Sequence, residues 1–208
     1  MSIVETRNVC RVGILISGRG SNMLALSDAI REGRIAGAEL VVVISDQREA
    51  AGLERAQGRG IETLVIERRK RKRAEHDAET VSALQARGVA VVCLAGYMRL
   101  LSPHFIEAFR GRILNIHPSL LPAFPGLHAQ RQALEHGARW TGCTVHFVDE
   151  TLDGGPIIAQ EVVHIADDDT EETLTARILN IEHQLYVQAL ALVVSGCYEV
   201  RGRRVIRR

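Results

Sequence analysis

The chain has 208 residues, 46% hydrophobic and 25% charged, which fits a globular protein of one large domain or one domain with a short extension. Its 26 basic and 25 acidic residues leave a formal net charge of +1, so bulk charge gives no argument for nucleic acid or an anionic membrane as a partner. No apolar run approaches the ~20 residues of a spanning helix, and the N-terminal MSIVETRNVCR lacks the apolar centre of a signal peptide, so a cytoplasmic protein is expected.

Residues 1–10 read as a loose lead-in and 11–208 as a single domain. The run 11–17 (RVGILIS) reads as a buried parallel strand. GRGSN follows, and then Leu24, Ile30 and several alanines supply the apolar side of a helix over 21–32, with Ser21 or Asn22 as its cap. Residues 39–45 (ELVVVIS) predict a second strand, 50–59 a helix stopped by Gly60, and 61–66 (IETLVI) a third strand. Six of the seven residues 67–73 are basic; a solvated loop and helix start is the commoner meaning of such a run and a nucleic-acid patch the rarer, while one cation can face an anionic ligand.

Residues 74–87 predict a helix and 89–94 (VAVVCL) a fourth strand, broken by Gly96. Ser102 before Pro103 has the form of a cap and first helical residue, opening a short helix to Phe109. A fifth strand is expected over 112–117, a helix over 130–136, and two strands over 142–148 and 156–165, joined by a turn containing Asp153. Thr170 caps a long helix to Val194, and the tail CYEVRGRRVIRR alternates enough for an edge strand with a fraying basic end. Five strands alternating with helices imply an α/β fold, Rossmann-like and doubly wound. A mostly parallel sheet carries helices on both faces and a small peripheral antiparallel extension.

The loop SGRGSN sits between the first strand and its helix. Gly18 and Gly20 allow a tight turn and close approach of a ligand, and a helix N-terminus favours anions. Met23 stands where a dinucleotide fingerprint needs glycine, which demotes NAD and FAD, and a P-loop Lys-Ser/Thr pair is missing. A phosphate monoester is the expected ligand, an ordinary glycine turn the alternative. Further on, Asn115 and His117 share one face of their strand, because strand side chains alternate with period two. Pro118, Pro122 and Pro125 then stiffen the loop that follows, and Asp153 lies beyond the next strand.

An imidazole serves as both acid and base near neutrality, a carboxylate holds it, and an amide beside a cationic ring suits a developing oxyanion. With no GxSxG elbow and no cysteine in either loop, direct transfer through a tetrahedral intermediate is favoured over a covalent acyl-enzyme. His128 and His146 flank this region and are expected to stand behind the three residues, whereas His76, His104, His136, His164 and His183 read as surface or helix histidines. No HxH or HxxxH pattern exists, and Cys10, Cys93, Cys143 and Cys197 are too far apart for a knuckle or CxxC pair, so no metal and reduced, buried thiols are expected.

Four segments, ISGRGSN, AGYMRLLS at 95–102, NIHPSLLPAFPGLHA and LDGGPI, together resemble the phosphoribosylglycinamide formyltransferases, the folate-dependent transformylases of purine biosynthesis, over about residues 12–194. HPSLLP alone is shared with methionyl-tRNA formyltransferase and formyltetrahydrofolate hydrolase. The further domains of those two enzymes are not expected in this chain. The resemblance implies Asn115, His117 and Asp153 as catalytic residues, and Gly20, Ser21 and Asn22 as the holders of the substrate phosphate. It implies Arg73, Met98, Arg99, Leu100, Leu101 and Asn115 for the folate, and Glu182 for the glycinamide and ribose side. It further implies 10-formyltetrahydrofolate as co-substrate, 5-phosphoribosylglycinamide as acceptor, and a monomer or homodimer. The phosphate-binding half would be 11–100 and the catalytic and folate half 101–208. Tyr97, Arg19 and the lead-in depart from the family pattern without touching its chemistry. Another formyltransferase or hydrolase of the superfamily, a non-catalytic folate or nucleotide module, and an RNA-binding domain stay open as alternatives.

Overall fold

Buried apolar runs alternate with amphipathic helices in the computed structural model, which describes residues 9–208; positions 1–8 of the expected lead-in lie outside the described residues. The strands are β1 (Cys10–Ile16), β2 (Ala38–Ser45), β3 (Thr63–Val65), β4 (Val91–Leu94), β5 (Ile113–His117), β6 (Trp140–Phe147), β7 (Ile157–His164), β8 (Tyr198–Arg201) and β9 (Arg204–Arg207). The helices are α1 (Ser21–Arg31), α2 (Ala51–Gln57), α3 (Arg73–Gln85), α4 (Pro103–Ala108), α5 (Ala129–Glu135) and α6 (Glu171–Ser195). All strands join one sheet in the order β3-β2-β1-β4-β5-β6-β7-β9-β8. Strands β1 to β5 run parallel, and β6 pairs antiparallel with both β5 and β7. The expected mostly parallel sheet with an antiparallel extension is therefore the observed one.

Period-two alternation splits the core into two layers. Val12, Ile14, Ile16 and Val43 enter one cluster with residues of α1, α2 and α6, whereas Leu15, Val42 and Ile44 enter the other with residues of α3 and α4. Long α6 lies across the first face, capped by Thr170 as expected. Its buried Tyr186 hydroxyl lies 3.1 Å from Leu94 O and 3.0 Å from Leu114 O, and so ties the ends of β4 and β5 together.

Three local expectations need correction. Helix α1 is capped by Gly20 in the left-handed region (φ 71°) with no side-chain cap, because the backbone there turns more sharply than Ser21 or Asn22 would allow. The basic tail does not fray: β8 and β9 form a hairpin around Gly202, and β9 joins the sheet beside β7. His76 lies on a helix but is 1% exposed rather than at the surface.

The turn between β6 and β7 closes without room for a side chain at Gly155, where a Cβ would sit 1.9 Å from Phe147 O. Gly155→Ala is therefore expected to lower stability by about 1–3 kcal/mol through forced backbone movement, read as a shift of the urea midpoint at unchanged m-value.

Candidate active site

The chain leaves β1 for β2 on one side and returns as β4 on the other, so the loops after β1 and β4 diverge and leave a crevice at the carboxyl edge of the sheet. In the β1 loop, a Cβ on Gly20 would lie 2.9 Å from the Gly52 Cα, and the Gly52 N–H donates to Gly18 O at 3.0 Å. Two glycine backbones thus press the loop against the start of α2. The Ser21, Asn22 and Met23 N–H groups in the first turn of α1 have no described backbone partner and that turn has no acidic residue, a favourable seat for an anion. The Asn22 side chain is already engaged, since its Nδ2 donates to Glu182 on α6 at 2.8 Å. What Asn22 offers an anion is its backbone N–H. Burial pushes the Glu182 carboxyl above its ordinary range, and the Asn22 hydrogen bond offsets this only in part. The Asn22 Oδ1 is buried without a partner among the described residues.

The loop after β4 is held at both ends. Ser17 Oγ donates to Asp46 at 2.7 Å and accepts from the Met98 N–H at 3.0 Å, while the Ser102 N–H donates to Asp77 at 2.6 Å. Between these anchors no described hydrogen bond uses the backbone of Arg99, Leu100 or Leu101, so their peptide groups stay available to a ligand. Met98 and Leu100 expose their apolar side chains, whereas the Leu101 side chain is buried in the second core layer. Arg73 is exposed as the first residue of α3.

Asp153 lies beside both His117 and His146, and His146 is in turn bonded to Asn115, so Asn115, His117 and Asp153 gather at one place. The His117 Nε2–H donates to Phe124 O at 2.9 Å, which turns Nδ1 toward Asp153 Oδ2 at 3.5 Å. Asp153 adopts a positive φ of 48°, and its Oδ2 accepts the Gly126 N–H at 2.8 Å. The proline-rich loop therefore grips both partners, His117 through Phe124 and Asp153 through Gly126. That loop is itself fixed by Thr144, which donates to Ser119 O at 2.6 Å and accepts from the Leu121 N–H at 3.0 Å; the peptide bond from Leu121 to Pro122 is cis.

His146 pairs with Asn115 across β5 and β6. Its Nδ1–H donates to Phe147 O at 2.8 Å, leaving Nε2 to accept from the Asn115 Nδ2 at 3.2 Å. Burial shifts the His146 proton equilibrium toward the neutral ring, the form that can accept this bond. One Asn115 N–H is thereby fixed and the other left free. Asp153 Oδ1 is 3.7 Å from the same His146 nitrogen. His128, by contrast, is exposed and has Glu171 as its acidic neighbour at 3.8 Å, so the structure does not bring it to the three residues. Gly52, Phe124 and Gly126 escaped sequence reasoning because they act through backbone atoms; the only sequence signal was glycine beside proline in PGL.

Among the described residues no group of His, Cys, Asp and Glu is arranged to hold a metal ion, and no helix is long and apolar enough to cross a membrane. Cys93 and Cys143 are buried, with thiols pushed up to about 12 chiefly by burial, whereas Cys197 is exposed, against the expectation of four buried thiols.

The chain is similar in sequence and fold to known proteins. The formyl transferase family matches residues 10–190. The chain is 52% identical over 188 residues to the trifunctional purine biosynthetic protein adenosine-3 of Drosophila pseudoobscura pseudoobscura, covering 89% of this chain but 14% of the fly protein. It is 44% identical over 184 residues to the phosphoribosylglycinamide formyltransferase of Escherichia coli (strain K12), covering 88% of this chain and 86% of that one. The crystal structure of glycinamide ribonucleotide transformylase 1 from Symbiobacterium toebii superposes with a TM-score of 0.96 at 50% identity over 100% of this chain and 98% of that one. The shared family segment spans both loops of the crevice and all three polar residues at its centre, and this chain belongs to the formyl transferase family.

Proposed function

We propose that the chain transfers the formyl group of 10-formyltetrahydrofolate to the amine of 5-phosphoribosylglycinamide, giving formylglycinamide ribonucleotide and tetrahydrofolate, a step of purine biosynthesis. The observation that carries this reading is that Asn115 and His117, with Asp153 beside His117, share the carboxyl edge of the sheet with the glycine loop that opens α1 and with a loop whose backbone stays unpaired. Gly20, Ser21 and Asn22 take the phosphate through backbone N–H groups. Glu182 accepts from the sugar or glycinamide end, which supplies the donors its buried carboxylate lacks. Residues 98–101 offer peptide groups to the pterin, with Met98 and Leu100 as apolar cover and Arg73 near the glutamate end.

In this scheme the acceptor amine attacks the formyl carbon. The second Asn115 N–H and a proton on His117 Nδ1 stabilise the oxyanion. The 3.5 Å gap to Asp153 is longer than a hydrogen bond, so Nδ1 is free to turn its proton to the reacting oxygen. Asp153 faces the His117 ring and organises a water that carries the proton from the incoming amine to the departing N10. The reaction is placed in the cytoplasm, on a monomer or homodimer, with no nucleic-acid partner. The phosphate-binding half 11–100 and the catalytic half 101–208 share one sheet, and residues 98–101 straddle their boundary.

Absorbance on mixing the chain with 10-formyltetrahydrofolate, with and without 5-phosphoribosylglycinamide, tests the proposal. Signal only with both supports transfer, signal without the acceptor points to hydrolysis, and silence in both overturns catalysis. Glu182→Gln provides a second check. A carboxyl whose folded pKa is raised contributes stability below its unfolded pKa and loses it as pH rises through the folded value. The variant is therefore expected to melt above wild type at pH 8, with the gap closing toward pH 4, while its KM for the ribonucleotide rises. Calorimetric scans at the two pH values and steady-state kinetics measure both.

A further inference from the structure

We infer that His76 and Asp77 are positioning residues, a buried pair that sets the path of residues 98–101 and couples it to the basic run, thereby governing affinity for the folate. This rests on the reading of 98–101 as the folate segment. Both side chains are 1% exposed, on the inner side of α3. The His76 Nε2 lies 2.7 Å from Ile66 O, a contact in which the ring must donate. The Nδ1 lies 3.2 Å from Asp77 Oδ1. The other carboxylate oxygen receives the Ser102 N–H at 2.6 Å.

Burial works to raise the Asp77 carboxyl, but hydrogen bonds from His76 and from the backbone and hydroxyl of Ser102 hold it below its ordinary range. Toward an ionised carboxylate and a carbonyl, both ring contacts are made only when the ring carries both protons. The other groups at the pair leave this arrangement unchallenged. Thr80 on the same helix donates to His76 O at 3.0 Å, and Tyr97, whose hydroxyl burial keeps neutral, feels the Asp77 carboxylate.

The pair joins two places that matter for one ligand. Ile66 is the last residue before the basic run 67–73, so its carbonyl fixes where that run departs. Ser102 ends the loop whose other end hangs from Ser17 through the Met98 N–H. With no described backbone hydrogen bond at 99–101, the two anchors and the buried Leu101 side chain set the path of that segment. Loss of the ring takes the His76 donor from the buried Ile66 O and from Asp77 Oδ1, and the loop shifts to rehydrate them.

The test uses the full chain. His76→Phe keeps a ring but removes both donors, and is expected to raise KM for 10-formyltetrahydrofolate about tenfold, with kcat and KM for the ribonucleotide within about twofold. Amide hydrogen exchange at 98–102 should quicken. Asp77→Asn provides the rescue. Its carboxamide can still accept from the Ser102 N–H and donate to the His76 Nδ1, so its folate KM and its exchange at 98–102 should stay near wild type. Equal changes in KM for both substrates, or unchanged exchange at 98–102 in His76→Phe, overturns the inference. If His76→Phe does not fold, Asp77→Ala is measured instead, and unchanged exchange at 98–102 or equal changes in KM for both substrates overturns the inference. A wild type without formyl transfer sinks the functional reading instead, while the exchange rates still decide the positioning pair.

Discussion

His117→Ala is expected to lower formyl-transfer turnover by about 10²–10³ while the protein still folds, because one donor to the developing oxyanion disappears. The side chain sits at the end of β5, 5% exposed, and its ring is held on one side by Phe124 O and faced on the other by Asp153. Removing it opens a small polar space at a loop that Thr144 and Gln160 keep in place by their own hydrogen bonds, so the scaffold persists. Asp153→Asn should be comparably damaging for a different reason. The amide still receives the Gly126 N–H but brings no negative charge to the His117 ring or to the water that carries the proton. Turnover from the absorbance assay, set beside far-ultraviolet circular dichroism and melting curves, measures both. Near wild-type turnover in folded His117→Ala would defeat the mechanism.

Gly20→Val is expected to weaken 5-phosphoribosylglycinamide binding by about 10²-fold and leave folate binding largely intact. A β-branched residue at φ 71° costs about 1–2 kcal/mol of backbone strain. Its Cβ would also meet the Gly52 Cα at 2.9 Å, backbone against backbone with no side chain to swing aside. Relief requires the loop to move away from α2, which turns the first N–H groups of α1 off the phosphate, and about 2.7 kcal/mol corresponds to the hundredfold loss. The loop after β4 is anchored by Ser17 and Asp77 rather than by Gly20, so the folate site should be spared. Titration calorimetry with each ligand separates the two; equal losses would count against the assignment of this loop to the phosphate.

The element kinds were legible in the sequence because they follow from local rules. The apolar run of ELVVVIS, the Ser102–Pro103 cap and the Thr170 cap all act within a few residues, and the structure keeps them. The same reach explains the misses. Gly20 takes the cap from Ser21 because α2 presses on the loop from outside it, and the tail pairs as a hairpin because β7 leaves an edge to receive β9.

For the site, the sequence by itself determined that Asn115 and His117 share a face, since period two is a property of any strand, and that a glycine loop opens α1. Only the tertiary structure decided the rest. Antiparallel pairing of β5 with β6 sets His146 against Asn115, the Gly126 N–H seats Asp153 beside His117, and Asn22 meets Glu182 across 160 residues. His76 was read from sequence as a surface or helix histidine, because nothing within a few residues of it announces Ile66 O. The physical reason is common to all four. Each is a hydrogen bond whose partner is chosen by how the sheet and helices pack, and a side chain's type records what it can bond without recording what the fold will place within 3 Å of it.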